Sequence, residues 1–146
     1  MKPVKITFLG CGNMGRSLIG GLLGNGYPAD MLCGADAEPT QRQALASLFN
    51  ISIVADNNEA LRNAEVVVLA VKPQAIESLL SSVASTLQKQ APLIISIAAG
   101  VRLASISRIV GENLAVVRAM PNTPALVQAG AAALIANKNV NAQQRD

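Results

Sequence analysis

Short apolar runs rich in β-branched residues alternate along this chain with longer stretches whose apolar positions recur at helical spacing. Val4–Leu9, Met31–Ala35, Ile51–Val54, Val66–Val71, Leu93–Ile97 and Ala115–Ala119 read as strands. Between them, Arg16–Leu23 is helical and stops at Gly24-Asn25-Gly26. Thr40 caps a helix through Phe49, and Asp56-Asn57-Asn58 with Glu59 opens a brief helix to Arg62. Gln74–Leu87 places Ile76, Leu79, Leu80, Val83 and Leu87 on one face, and Leu103–Val110 turns Ile106, Ile109 and Val110 inward. Val66–Val71 is apolar enough to be covered on both sides, as a central parallel strand is. Two prolines in Met120-Pro121-Asn122-Thr123-Pro124 stop the strand before them. Ala131–Ala136 is a last apolar run, and residues 141–146 look like the start of a helix. The alternation predicts an α/β fold: a doubly wound, mostly parallel sheet with helices on both faces.

Length and composition narrow the functions available. At 146 residues the chain suits one domain, and 51% hydrophobic against 14% charged residues excludes a disordered tail. Aromatic residues make up only 2%, with no Trp, and the net charge of +3 is scattered. Neither a base-stacking platform nor a phosphate-tracking face is expected, hence no nucleic acid partner. Histidine is absent, which removes His-containing zinc sites and Ser-His or Cys-His nucleophiles within these residues. Cys11 and Cys33 lack metal or redox spacing, so a reduced, cytoplasmic protein is expected. No apolar run reaches the length of a signal core or a membrane span.

One motif carries chemistry. Gly10-Cys11-Gly12-Asn13-Met14-Gly15 fits G-x-G-x-x-G after a strand and before a helix, the Rossmann-like context in which such a loop receives a dinucleotide. Gly10 permits a tight turn, Gly12 lets backbone approach a pyrophosphate, and Gly15 lets helix and strand pack closely. The alternative is a glycine-rich turn without ligand. Asp36 lies 21 positions after Gly15, near the spacing of a carboxylate that accepts from the adenosine ribose, or is simply a solvated turn residue. As a ribose ligand it favours NAD over NADP, although Arg42 or Asn57 can compensate for a 2′-phosphate. Lys72, after Ala70-Val71, either lines a cofactor or is an ordinary turn lysine. Ile97-Ala98-Ala99-Gly100 allows close approach of a flat ring or tight packing. Asn122 and Thr123 offer hydrogen bonds from a rigid loop or belong to a structural double-proline turn.

Four segments in order, Phe8-Leu9-Gly10-Cys11-Gly12-Asn13-Met14-Gly15, Ala70-Val71-Lys72-Pro73, Ser96-Ile97-Ala98-Ala99-Gly100-Val101 and Arg118-Ala119-Met120-Pro121-Asn122-Thr123-Pro124-Ala125, resemble the pyrroline-5-carboxylate reductases over essentially the whole chain. The resemblance implies a Rossmann-like NAD(P)H domain at residues 1–146, followed in the family by a helical, dimerising domain that this chain does not contain. It implies reduction of 1-pyrroline-5-carboxylate to L-proline, with NADPH or alternatively NADH as cofactor, and a homo-oligomer for the complete protein. The family's cofactor contacts fall on Leu9, Gly10, Cys11, Gly12, Asn13, Met14, Ala35, Asp36, Asn57, Ala70, Val71, Lys72, Pro73, Ile97, Ala98 and Ala99, with Asn122 and Thr123 near the substrate. No residue here is expected to be catalytic, and no metal is expected. Members that prefer NADP commonly carry a hydroxyl, amide or base where this chain has Asp36.

The chemistry suits a site without histidine. An iminium already carries its proton when hydride arrives, so orientation is what the protein supplies. β-Hydroxyacid dehydrogenases, other imine reductases and a non-catalytic NAD(P)-sensing module share the glycine loop and the alternating pattern.

Overall fold

The computed structural model describes residues 2–121 and 132–145. Seven strands form one sheet: β1 (Ile6–Leu9), β2 (Leu32–Ala35), β3 (Ser52–Val54), β4 (Val66–Leu69), β5 (Leu93–Ser96), β6 (Val116–Pro121) and β7 (Ala132–Ala136). The helices are α1 (Asn13–Gly24), α2 (Pro39–Leu48), α3 (Asn57–Ala60), α4 (Ile76–Gln90), α5 (Leu103–Val110) and α6 (Ala142–Arg145). The sheet order is β3-β2-β1-β4-β5-β6-β7, parallel through β6, with β7 antiparallel to it. This is the doubly wound topology expected, and the order reverses between β1 and β4.

Side chains alternate between two cores. Thr7, Leu9, Val67, Leu69 and Ile94 face the side covered by α3, α4 and α5, where Leu80, Val83, Leu87, Ile106 and Val110 are buried. Phe8, Leu32 and Val68 face the side covered by α1 and α2, against Ile19 and Leu45. Each such fully buried side chain contributes about 1.5–3 kcal/mol, which is why strands this short hold their register. Thr7, polar in an otherwise apolar strand, donates its hydroxyl to the Ala60 carbonyl at 2.9 Å and ties α3 to β1.

The element ends differ from expectation in instructive ways. Helix α1 starts at Asn13 rather than Arg16, because Gly12 serves as its cap and the first turn runs through the glycine motif itself. Helix α2 starts at Pro39 with Glu38 as its cap, so Thr40 lies inside. Proline's fixed φ and missing N–H suit the first helical position. Asp56 does cap α3, accepting from the Glu59 amide at 2.9 Å. Strand β6 continues to Pro121 instead of stopping before the prolines. Its pairing with β5 ends at Arg118, and among the described residues only β7 accompanies it further. Pro121 thus sits at a strand end, a place where proline is tolerated.

Candidate dinucleotide-binding site

A row of backbone hydrogen bonds lays the ends of five strands along one sheet edge. Asp36 N–H donates to Val54 O at 3.1 Å, Gly10 to Ala35 O at 2.8 Å, Ala70 to Leu9 O at 2.8 Å, and Ile97 to Leu69 O at 3.1 Å. The residues after β1, β2, β4 and β5 are thereby brought to the carboxyl ends of the strands, where open α/β sheets receive ligands.

Gly10 has φ +87°, and a Cβ there would lie 2.6 Å from Val71 Cγ1 and 2.9 Å from Val71 N. The turn out of β1 therefore requires glycine twice over, for its dihedral and for its contact with the residues after β4. A Cβ on Gly15 would lie 2.9 Å from the Gly10 carbonyl oxygen, so this glycine packs α1 against the turn. Gly12 is different: a Cβ there would meet nothing within 4 Å among the described residues. The protein itself has no use for a bare backbone at that point, whereas a phosphate group does. Helix α1 begins there with no side-chain cap and no acidic residue in its first turn, leaving amide donors and the positive end of the helix free for an anion.

The Cys11 peptide is held on both sides. Its N–H donates to Asp36 Oδ2 at 3.0 Å, and its carbonyl accepts from the side-chain amide of Gln41 on α2. Its thiol is buried and donates weakly to Ala35 O at 3.7 Å. Burial, and after it the negative charge of Asp36, pushes that thiol up to about 12, so it is neither nucleophile nor metal ligand at neutral pH. Asp36 Oδ1 accepts from Glu38 N–H at 2.9 Å. Arg42 Nη1 donates to the carbonyls of Asp36 and Ala37 at 2.9 and 3.0 Å, bracing the same turn.

Of the residues marked out by sequence, Leu9 to Met14, Ala35, Asp36, Ala70 and Val71 converge around the β1–β4 switch. Lys72 is exposed at the start of the short turn Pro73–Ala75, and Asn57 opens α3 just after β3 on the same edge. Ile97, Ala98 and Ala99 follow β5, where the buried Ser96 hydroxyl accepts from Ala98 N–H at 3.3 Å and shapes the exit turn. Asn122 and Thr123 lie outside the described residues. Gln41 escaped sequence reading: it is an ordinary polar helix position, and only the fold brings it to Cys11. Among the described residues no cluster of His, Cys, Asp or Glu could hold a metal, and no helix is long and apolar enough to cross a membrane.

Fold and candidate site together define a doubly wound domain of the Rossmann type, and the bare Gly12 backbone before a helix with no side-chain cap fits a dinucleotide. Residues 5–100 match the family model described as NADP oxidoreductase coenzyme F420-dependent, and the chain belongs to that family. It is 46% identical over 144 residues to the pyrroline-5-carboxylate reductase of Pseudomonas aeruginosa, covering 99% of this chain and 52% of that protein. A pyrroline-5-carboxylate reductase structure from Coxiella burnetii superposes with a TM-score of 0.96 at 37% identity, covering 99% of this chain and 53% of that one. The Plasmodium falciparum pyrroline carboxylate reductase with NADP bound follows at 0.83 and 29%, covering 99% and 52%. The chain spans about half the length of these relatives.

Proposed function

We propose that this chain is the cofactor-binding half of a pyrroline-5-carboxylate reductase, an NAD(P)H-dependent enzyme that reduces 1-pyrroline-5-carboxylate to L-proline. The observation that carries the reading is the Gly12 backbone, bare toward open space beside the uncapped start of α1. Whole-chain likeness to the reductases supplies the reaction class.

In this reading Gly12 and the first-turn amides of α1 receive the pyrophosphate, Asp36 and Asn57 flank the adenosine ribose, and Ala70 to Pro73 with Ile97 to Ala99 border the nicotinamide side. Asn122 and Thr123 approach the substrate. A bound NAD(P)H supplies the hydride that reduces the C=N bond. The chain's own task is to hold one ring face toward the imine carbon, and the proton needed is already on the iminium nitrogen.

In this reading the other half of such an enzyme is a helical, dimerising domain and the complete protein is a homo-oligomer. An apolar groove of about 290 Å³, bordered by Leu18, Val68, Ile95, Ile97 and Ala119 on the α1 side of the sheet, supports a covering partner there. Two free, buried cysteines accord with a reducing cytoplasm. Calorimetric titration of the chain with NADH and NADPH tests the reading. Binding of at least one is expected, and binding of neither overturns it. The polypeptide carrying both halves should oxidise NAD(P)H only when given 1-pyrroline-5-carboxylate.

A further inference from the structure

We propose that Gln41, on α2, is a positioning residue for the dinucleotide: it locks the Cys11–Gly12 peptide in the orientation that offers the pyrophosphate an N–H rather than a carbonyl. The inference rests on the cofactor-half reading above and deepens it. The side-chain amide of Gln41 donates to the Cys11 carbonyl. A trans peptide is planar, with its C=O and N–H pointing opposite ways. Holding the Cys11 carbonyl toward α2 therefore turns the Gly12 N–H away from α2, and among the described residues nothing accepts from that N–H. The preceding peptide is fixed separately, because Cys11 N–H donates to Asp36 Oδ2 at 3.0 Å. Leu45, one turn beyond Gln41 on the same helix face, is buried and seats α2 on the sheet.

Without Gln41 this peptide has little to hold it. Gly12 stands at φ −69°, and a Cβ built on it meets no atom of the described residues within 4 Å. Glycine takes a positive φ about as readily as a negative one. A half-turn of the Cys11–Gly12 peptide is thus open to the loop, whereas Gly10 is pressed on by Val71 and has no such freedom. The flip exchanges the positive end of a peptide dipole for the negative end at the place where an anion approaches. Apparent affinity then scales with the fraction of molecules in the competent orientation. One neutral hydrogen bond changes such a ratio by about threefold to tenfold. Gln41 reaches the loop from another helix, so it ties cofactor affinity to the seating of α2.

The test compares the wild-type chain with Gln41→Met, which keeps the side-chain length and loses the donor, and with Gln41→Asn, which keeps the amide but withdraws it from reach. Each is titrated with NADH and with ADP-ribose, which has the pyrophosphate and lacks the nicotinamide, and the Gly12 amide resonance is followed by heteronuclear NMR. Both variants should bind the two ligands about threefold to tenfold more weakly, by the same factor for each ligand. The free Gly12 amide should give one sharp resonance in the wild type and a broadened or doubled one in the variants, a change that general loosening of the fold does not confine to this loop. Unchanged affinity in the folded variants overturns the proposal while leaving the cofactor-half reading intact. So does a loss for NADH that ADP-ribose does not share, or weaker binding with a Gly12 resonance that stays single and sharp. Variants that fail to fold would make Gln41 a stability residue and overturn it equally. Failure of both ligands to bind the wild type brings down the cofactor-half reading and this inference together.

Discussion

The thiol of Cys11 occupies the space that a side chain at Gly34 would need. A Cβ built on Gly34 lies 2.8 Å from Cys11 Sγ and 2.8 Å from Ile53 Cδ1. The loop after β1 and the middle of β2 are fitted to each other through one sulfur atom and one missing methyl group. Gly34→Ala should therefore destabilise the fold by about 1–3 kcal/mol, the usual cost of overpacking. Cys11→Ala removes the obstructing sulfur, so the double variant should lose less than the sum of the two single losses. A denaturant-based double-mutant cycle measures this, and strict additivity would show that the contact carries no strain.

The same thiol makes stability depend on pH at the alkaline end. It ionises at 9.0 in the unfolded chain and at about 12 when folded, so over that interval the unfolded state has given up a proton that the folded state keeps. Stability is fully present below the lower value and falls as pH rises, by up to about 1.4 kcal/mol per pH unit for one thiol. Cys33, raised chiefly by burial, acts in the same direction. Urea midpoints followed from neutral to alkaline pH should fall more steeply for the wild type than for Cys11→Ala. Parallel curves would contradict the burial argument.

Gly10 and Gly12 should separate stability from binding. Gly10→Ala forces a side chain into a left-handed dihedral, at about 1–2 kcal/mol, and against Val71 besides. It should lower the melting temperature and abolish dinucleotide binding together. Gly12→Ala meets no atom of the described residues and should change stability by less than about 1 kcal/mol while weakening NAD(P)H binding about tenfold or more. Unchanged affinity in that variant would mean that no phosphate approaches the backbone there.

Thr7→Val is a test of α3. The substitution preserves shape but deprives the Ala60 carbonyl of its 2.9 Å donor in a buried place. A loss of about 1–3 kcal/mol is expected, and calorimetric unfolding reads it. No loss would mean that another donor serves Ala60.

Gln41→Leu releases the Cys11 carbonyl from α2 without touching the Asp36 bond. Dinucleotide affinity should fall severalfold, and NADH and NADPH should be affected alike, since the change loosens the loop and leaves the ribose side unaltered. A selective loss of one cofactor would assign Gln41 a direct contact instead.

The fold was legible because its strands are short, apolar and separated by helices whose periodicity is unambiguous, as in α4 with Ile76, Leu79, Leu80, Val83 and Leu87 all buried. The glycine loop was legible because bare backbone at that spacing has few other uses. What escaped was anything set by tertiary contact. Thr7 stands as a lone polar residue among the apolar positions of β1 and is a buried donor to a residue on α3. Helix α1 begins earlier than its apolar period indicates, because a first turn of Asn, Met and Gly has none to read. Gln41 carries no local sign of the loop it supports.

The central position of β1 has a consequence for how the molecule comes to exist. This strand is synthesised well before β4, whose Val66–Leu69 close its second side, and before Ala70 and Val71, which press on Gly10. On the ribosome the glycine loop is therefore a sequence before it is a shape. Until β4 has emerged, β1 presents an open, sticky edge to whatever is nearby. A nascent chain interrupted before Val66 would hold every glycine of the motif without the strand and residues that pack against its turn, and holdase chaperones should find such intermediates to be good clients.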